Sequence, residues 1–423
     1  MLLWAVKSGK IRLKGSFKMT VIELFDETPI DNIIASLTTV PEKIIFIGES
    51  WRLNRFIEFY EEFKKDRKID IKAEFKPINK NNLSSIVSVF RDIVMSEEEC
   101  LFDLTGGEDL VLVAIGMVYC EFCECKNIRL QRFNVRDGKT IDCDNDGEFI
   151  FSGKPKLSVE ECIELHGGKI KYKTEDIKDG TNLFDMTEDF CNDIDKMWAI
   201  CRNNPGSWNK QFILFEEINK GLNEAELEVN INLNDFKNLL NRKNIKYFSL
   251  SWFLKQLSRN RLISGYFEDA NILKFRYKNA QIKRALLSAG TILELKVFKT
   301  GREIYSDAMQ SVHIDWDGNL HPDDSPIKDT ENEIDVIFMN GIVPIFISCK
   351  NGAINDDELY KFDAVASRFG GEYAKKVLIA TYLNKKNKSL KDFENRAKAM
   401  RIKFINGVHT LSDQKFKELI KKL

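Results

Sequence analysis

The sequence predicts an α/β protein in three parts: a doubly wound parallel domain, a small helical module with a wing, and a second α/β domain built around a hairpin. Three observations predict this. From Met19 to about Phe151, short apolar runs alternate with amphipathic segments, the pattern of a parallel sheet with helices on both faces. From about residue 187 to 284 the order changes to helices followed by two strands. Near the end, two nearly continuous apolar runs flank Asn340-Gly341 in ENEIDVIFMNGIVPIFISCKNG, residues 331–352, and read as a hairpin buried on both faces.

A chain of 423 residues is long for a single core, so two or three domains are expected. With 43% hydrophobic and 30% charged residues it reads as soluble and globular. A formal net charge of -1 excludes a global field for polyanions, so any nucleic-acid contact must come from local basic clusters. No apolar run approaches the roughly 20 residues of a membrane helix. Residues 1–18 are too short and too interrupted by Lys and Arg for a signal peptide; they read as an upstream start with a loose or hairpin-like extension. The nine cysteines follow no regular spacing, and Cys120, Cys123 and Cys125 form their one cluster. A zinc site there would want a second CxxC or a His pair, and the chain has only four His. Reduced thiols in a cytoplasmic protein are the expectation.

In the first part, strands are expected at 21–25, 43–47, 71–75, 100–104 and 128–133, with helices at 29–37, 53–65, 83–95 and 109–123. Ligands of such sheets sit at the carboxyl ends of strands. Two loops there stand out: Gly48-Glu49-Ser50-Trp51-Arg52 and Asp103-Leu104-Thr105-Gly106-Gly107-Glu108. The second runs from strand to helix with paired glycines, which suits an anion at a helix N-terminus or a plain turn capped by Thr105. Trp51 can stack on a base or belong to the core. The segment 157–170 reads as a short helix capped by Ser158 and ended by Gly167-Gly168, closing a domain that spans 19–170; His166 reads as a structural cap. Residues 171–184 read as a linker.

The phrase DLTGGE after a strand resembles the ligand loop of CARF domains (CRISPR-associated Rossmann folds), and Asp26-Glu27-Thr28-Pro29-Ile30-Asp31-Asn32 resembles its companion loop. The resemblance implies a homodimer that binds a cyclic oligoadenylate across its two-fold axis, where each protomer contributes the same loop. It implies ligand contacts from Thr105, Gly106 and Gly107 to phosphates, with Glu27, Thr28, Gly48, Ser50 and Trp51 around the ring.

In the second part, 185–284, helices are expected at 186–202, 209–220, 233–242 and 249–259, followed by strands at 262–267 and 271–277. This is a winged-helix-like order. Arg259, Arg261, Lys274, Arg276, Lys278, Lys283 and Arg284 alternate with Tyr266, Phe275 and Tyr277. Such a segment is either a nucleic-acid backbone surface or a solvated wing.

The third part, 285–423, begins with a helix over 280–298 that carries Glu294, then a strand at 308–316 and the hairpin. Helices at 356–369, 390–400 and 413–421 then alternate with strands at 376–381 and 402–405. If the hairpin turns on Asn340-Gly341, Glu333 lies opposite Ser348 and Glu331 opposite Lys350. Strand alternation sends Glu333, Asp335, Ser348 and Lys350 to one face. Pro344 is the residue that could shift this register. Charges at the end of buried strands are costly without a task.

This order, with acids on the hairpin and a closing lysine, resembles the PD-(D/E)xK nuclease core. The resemblance implies Mg²⁺ or Mn²⁺ held by carboxylates, with Asp335 as first acid, Glu294 as helix acid, and Lys350 to position or polarise the attacking water or stabilise the developing charge. One position departs from the pattern: Ser348 stands where an acid is usual. A serine cannot neutralise a divalent ion, and the pairing offers Glu333 as substitute. Together the two halves resemble the CARF nucleases of type III CRISPR immunity. The resemblance implies a nuclease of DNA and/or RNA activated by a cyclic oligoadenylate, the tetramer first. Two other readings stay open: a ligand-responsive winged-helix DNA-binding regulator with an inert nuclease-like domain, and a ring nuclease that degrades its own ligand.

Overall fold

Each strand expected between residues 21 and 133 forms, within a few residues of its expected bounds. The computed structural model describes residues 19–423 except 27, 40, 136, 145–146, 150–153, 173–183, 224, 322–324, 353, 355 and 384–386. The chain forms two compact units, Met1–Pro155 and Lys156–Leu423.

The first unit holds β1 (Met19–Leu24), β2 (Lys43–Gly48), β3 (Lys72–Pro77), β4 (Glu99–Asp103), β5 (Asn127–Asn134), β6 (Lys139–Asp142) and β7 (Gly147–Phe149). They line up in the order β3-β2-β1-β4-β5-β6-β7. The first five pair in parallel, and β6 and β7 are antiparallel additions. Helices α1 (Ile34–Thr38), α2 (Ser50–Arg67), α3 (Leu83–Ser96) and α4 (Asp109–Phe122) connect them. Alternate residues of one strand serve opposite faces. Ile45 and Ile47 join the core under α3 and α4, whereas Phe46 meets Phe56 and Tyr60 of α2. Both faces are covered, which is why the strands read as unbroken apolar runs. The chain reverses its direction across the sheet between β1 and β4, so the loops after these strands meet at the switch point.

The second unit begins with α5 (Val159–Leu165) and β8 (Lys169–Ile170). The sequence assigned this segment to the first domain; the structure puts it in the second unit. β8 pairs with the strand Asp307–Asp315, and Val159 N–H donates to the Asp307 carboxylate at 2.7 Å. The helix itself was read correctly, with Ser158 and Glu161 forming a reciprocal capping box. Then follow α6 (Glu188–Asn203), α7 (Pro205–Asn219), β9 (Glu228–Asn232), α8 (Leu233–Arg242), α9 (Ser251–Arg259), β10 (Ile263–Glu268) and β11 (Ile272–Tyr277). The sheet order β10-β11-β9 around two helices is a winged-helix-like arrangement. Its first strand, β9, was not expected, because EVNIN carries only two apolar residues and buries one of them.

The long helix expected over 280–298 is two helices, α10 (Ala280–Ala285) and α11 (Thr291–Gly301). The break is pinned at Ala289, whose carbonyl accepts from Trp208 Nε1 at 3.1 Å and Asn351 Nδ2 at 2.9 Å. β12 (Asp307–Asp315), β13 (Glu331–Asn340), β14 (Val343–Gly352), α12 (Asp357–Gly370), β15 (Lys375–Leu383), α13 (Asn387–Ala399), β16 (Ile402–Asn406) and α14 (Asp413–Lys421) complete the unit. The sheet runs β16-β15-β14-β13-β12-β8. β12, β13 and β14 form an antiparallel meander, and β15 and β16 add in parallel. α11 lies so close to β13 that a Cβ on Gly301 would meet the Phe338 ring at 2.0 Å. Among the described residues, no helix is long and apolar enough to cross a membrane.

Candidate functional site

The hairpin turns one residue later than expected. Asn340 pairs with Val343, and the turn residues are Gly341 and Ile342. Gly341 has φ +69° and Ile342 no positive φ, which suits a turn with glycine at its first central position. The ladder therefore shifts by two, so the faces are kept but the partners change. Glu333 does not oppose Ser348. Continuing the register from Val336–Ile347 brings Asp335 opposite Ser348 and Glu333 opposite Lys350.

The β13–β14 ladder stops at Val336–Ile347. Beyond it β13 stays with β12 down to Glu331–Asp315, and β14 stays with β15 up to Gly352–Leu383. The two strands thus fork, and Asp335 sits in the crotch. Its Oδ2 accepts from Cys349 N–H at 2.5 Å and from the Ser348 hydroxyl at 3.3 Å, so it caps the backbone donor that the parting strands leave open. Ser348 supplies no charge, but it holds the acid that does.

Glu294, in the first turn of α11, reaches the same fork. Burial, then the charges of Asp335 and Glu333, push its carboxyl up to about 8 against the partial relief given by Lys350. The Asp335 carboxyl is also raised, by burial first, with Lys350 and the Cys349 N–H opposing. Asp335 thus raises Glu294 and Glu333 raises both, and half-buried acids so placed are short of a cation. Lys350 Nζ pairs with Glu358 of α12 at 2.8 Å. Burial pulls its ammonium down, but Asp335 and Glu358 outweigh this and its pKa ends raised. Glu358 was not singled out from the sequence.

Glu333 is placed differently from the expectation. Its side chain is 48% exposed and stands 3.8 Å from His313, its partner on β12. Among the described residues no three acid, His or Cys side chains cluster as a metal shell by themselves. Two carboxylates are nevertheless a fitting set for Mg²⁺ or Mn²⁺, which keep waters and take the rest of their shell from substrate phosphate.

In the first unit the loops after β1 and β4 lock together. Asp26 accepts from Thr28 N–H at 2.7 Å and from Gly107 N–H at 2.8 Å. Gly107 has φ +109°, and a Cβ on Gly106 would come within 2.9 Å of the Leu24 carbonyl. Asp103, fully buried, accepts from Thr105 N–H at 2.9 Å, from the Thr105 hydroxyl and from Gln131 at 2.7 Å. The Thr105 hydroxyl in turn accepts from Phe133 N–H at 2.8 Å. Thr105 and the Gly107 amide are therefore committed to the loop, whereas the sequence offered them to phosphate. Gly48 is also structural: a Cβ there would press on Phe25 at 2.9 Å. Glu27 lies outside the described residues.

What faces outward is Ser50 and Trp51, on the first turn of α2. Trp51 is 64% exposed, with the Arg52 guanidinium 5.0 Å from its ring centroid. Neither α2 nor α4 has a side-chain cap at its N-terminus, so backbone donors remain open there. Lys80 bridges the N-cap acids of both helices, Glu108 at 3.1 Å and Glu49 at 3.5 Å, another residue the sequence did not suggest.

No protein family matches the sequence by its profile, and no curated protein matches it. Several solved structures match its fold, two of them over nearly the whole chain. Protein VC1899 from Vibrio cholerae aligns at a TM-score of 0.71 and 16% identity, over 96% of this chain and 98% of that one. Can2 from Sulfobacillus thermosulfidooxidans, solved in complex with cyclic tetra-adenylate, aligns at 0.65 and 14% identity, over the same shares. The chain has their fold. The α/β architecture expected from the sequence, a Rossmann-like N-terminal domain followed by a further C-terminal domain, is the one shared with them.

Proposed function

We propose that the protein is a divalent-metal-dependent nuclease switched on by a cyclic oligoadenylate, cyclic tetra-adenylate first. The observation that carries this reading is the strand fork of the second unit, where Asp335, Glu294 and Lys350 gather. Phosphodiester hydrolysis needs charge neutralised on the phosphate and a water made nucleophilic, and Mg²⁺ or Mn²⁺ would supply both if held at the fork. Asp335 offers the cation Oδ1, because Oδ2 is held by Cys349 and Ser348. Glu294 would hold the ion through its carboxylate in the ionised form. Lys350, with its pKa raised, stays an ammonium at neutral pH. It therefore donates to the phosphate or orients the water and does not act as the base.

For the sensing half, Can2's complex with cyclic tetra-adenylate and the exposed Trp51 beside two uncapped helix N-termini support a ring ligand with adenines and phosphates. α4 supports a homodimer. It is apolar on nearly all sides and exposes Leu110, Val113 and Met117, a face that calls for a partner. The Thr105-Gly106-Gly107 loop opens directly into α4, so a two-fold packing of α4 on its copy brings two such loops together. Activation requires the ligand to bind the cutting arrangement more tightly than the resting one.

The test incubates the protein with labelled DNA and RNA in Mn²⁺, with and without cyclic tetra-adenylate. Ligand-dependent cleavage lost in Asp335→Ala and Lys350→Ala is the expected outcome. Retention of duplex DNA without cutting would point to a regulator, and loss of the ring alone to a ring nuclease.

A further inference from the structure

Gln310 lies in the middle of β12 and is completely buried. Its Oε1 has no hydrogen-bond donor. A fully buried amide oxygen without a donor is rare, and an unseen ion or water is among its ordinary explanations. The side chain is not lost in the apolar core. Gln310 pairs with Val336 in the ladder, one residue past Asp335, and its amide lies close enough to Glu294 to favour that carboxylate.

The backbone next to it is distorted. Ser311 has φ +51° in the middle of a buried strand. It would stand opposite Asp335, yet the ladder passes from Gln310–Val336 to Val312–Ile334 without that pair. A left-handed residue inside a strand costs free energy and persists only where its surroundings hold it, typically at a site with a task. Both irregularities of β12 thus fall beside the fork.

We infer that the Gln310 carboxamide is the third protein group of the cation site, with Oε1 ligating the divalent ion and Nε2–H donating to Glu294. This rests on the metal-dependent reading of the fork and deepens it. The fork lacks a third carboxylate, since Ser348 has none and Glu333 stands exposed beside His313. A neutral carbonyl-type oxygen is an accepted ligand of hard cations, and it completes the set without adding a third charge to two acids that already repel. It also gives the buried amide oxygen the partner it lacks.

The test is Mn²⁺ titration of the full chain, followed by calorimetry or by the spin resonance of free Mn²⁺, with the melting temperature of the cation-free protein measured alongside. Gln310→Met keeps the size and removes both polar atoms. The expected result is Mn²⁺ affinity weaker by about tenfold or more, with a cation-free melting temperature close to wild type, because the amide oxygen that is removed has no donor in the cation-free protein. A role confined to packing would leave affinity untouched, so a dissociation constant within about twofold of wild type overturns the inference. Should Gln310→Met not fold, Gln310→Glu decides: about tenfold tighter binding supports the assignment, and unchanged binding overturns it. Wild-type protein that binds no Mn²⁺ overturns both this inference and the reading of the fork, whereas wild-type binding with an unaffected Gln310 variant overturns this one alone.

Discussion

Replacing Glu294 by Gln should flatten the pH dependence of stability in the cation-free protein. A carboxyl whose pKa is raised on folding stabilises the fold below its unfolded value, and that contribution is lost as pH rises through the folded value. For Glu294 the window runs from its ordinary 4.5 to about 8. The full shift corresponds to about 5 kcal/mol at about 1.36 kcal/mol per unit. Glu294 is half-buried, and solvent screening brings the expected loss to about 2–3 kcal/mol. For a unit of this size that is about 5–10 °C of melting temperature. The assay is thermal unfolding in chelator from about pH 5 to about pH 8.5, for wild type and Glu294→Gln. Wild type should lose those degrees relative to the variant, and Mn²⁺ at the alkaline end should restore them to wild type alone. Parallel profiles for the two proteins would refute the claim that Glu294 sits among uncompensated acids.

Four further predictions rest on the geometry. Lys350→Ala should lower cleavage by about 10²–10³-fold while leaving Mn²⁺ affinity within a few-fold, because the proposed role of the ammonium is toward the phosphate or the attacking water and not the cation; rates and titration on the same preparation check both halves. Trp51→Ala should weaken ring-nucleotide binding about tenfold with no change in melting temperature, since the indole is exposed and its loss removes only stacking, whereas Gly107→Ala should destabilise the first unit by about 1–3 kcal/mol, since its φ of +109° suits glycine and a Cβ would lie 2.8 Å from Leu24. Met117→Glu on the open face of α4 should convert a dimer to a monomer in light scattering and abolish the ligand response, while cation binding at the fork persists.

The elements were largely legible in the sequence because most are determined locally. Strands buried on both faces announce themselves as unbroken apolar runs, as at 43–47 and 336–339, and caps such as Ser158 mark helix starts. What failed was decided at longer range. The break before α11 is fixed by Trp208 and Asn351 binding one carbonyl, Ala289, and nothing near residue 289 encodes those partners. The two residues of β8 carry too little pattern to say which sheet they join. At the hairpin, Asn340-Gly341 favours one two-residue turn and Gly341-Ile342 another. A slip of two residues preserves every face and reassigns every partner. That is why Asp335, Lys350 and Glu294 could be picked from sequence while Glu333 was given the wrong neighbour. Gln310 left no signal, because a polar residue in AMQSVHI reads as ordinary strand alternation. Thr105 was chosen for its hydroxyl, but the buried Asp103 beneath it claims that group.

The central claim is that occupancy of the first unit by a ring nucleotide governs chemistry at the fork of the second. The initial rate of cleavage of a labelled strand in Mn²⁺, measured as cyclic tetra-adenylate is titrated, tests it most directly. A saturable rise of about tenfold or more, absent in Asp335→Ala, is predicted. Cleavage that proceeds at one rate at every ligand concentration, or that survives in Asp335→Ala, would contradict it.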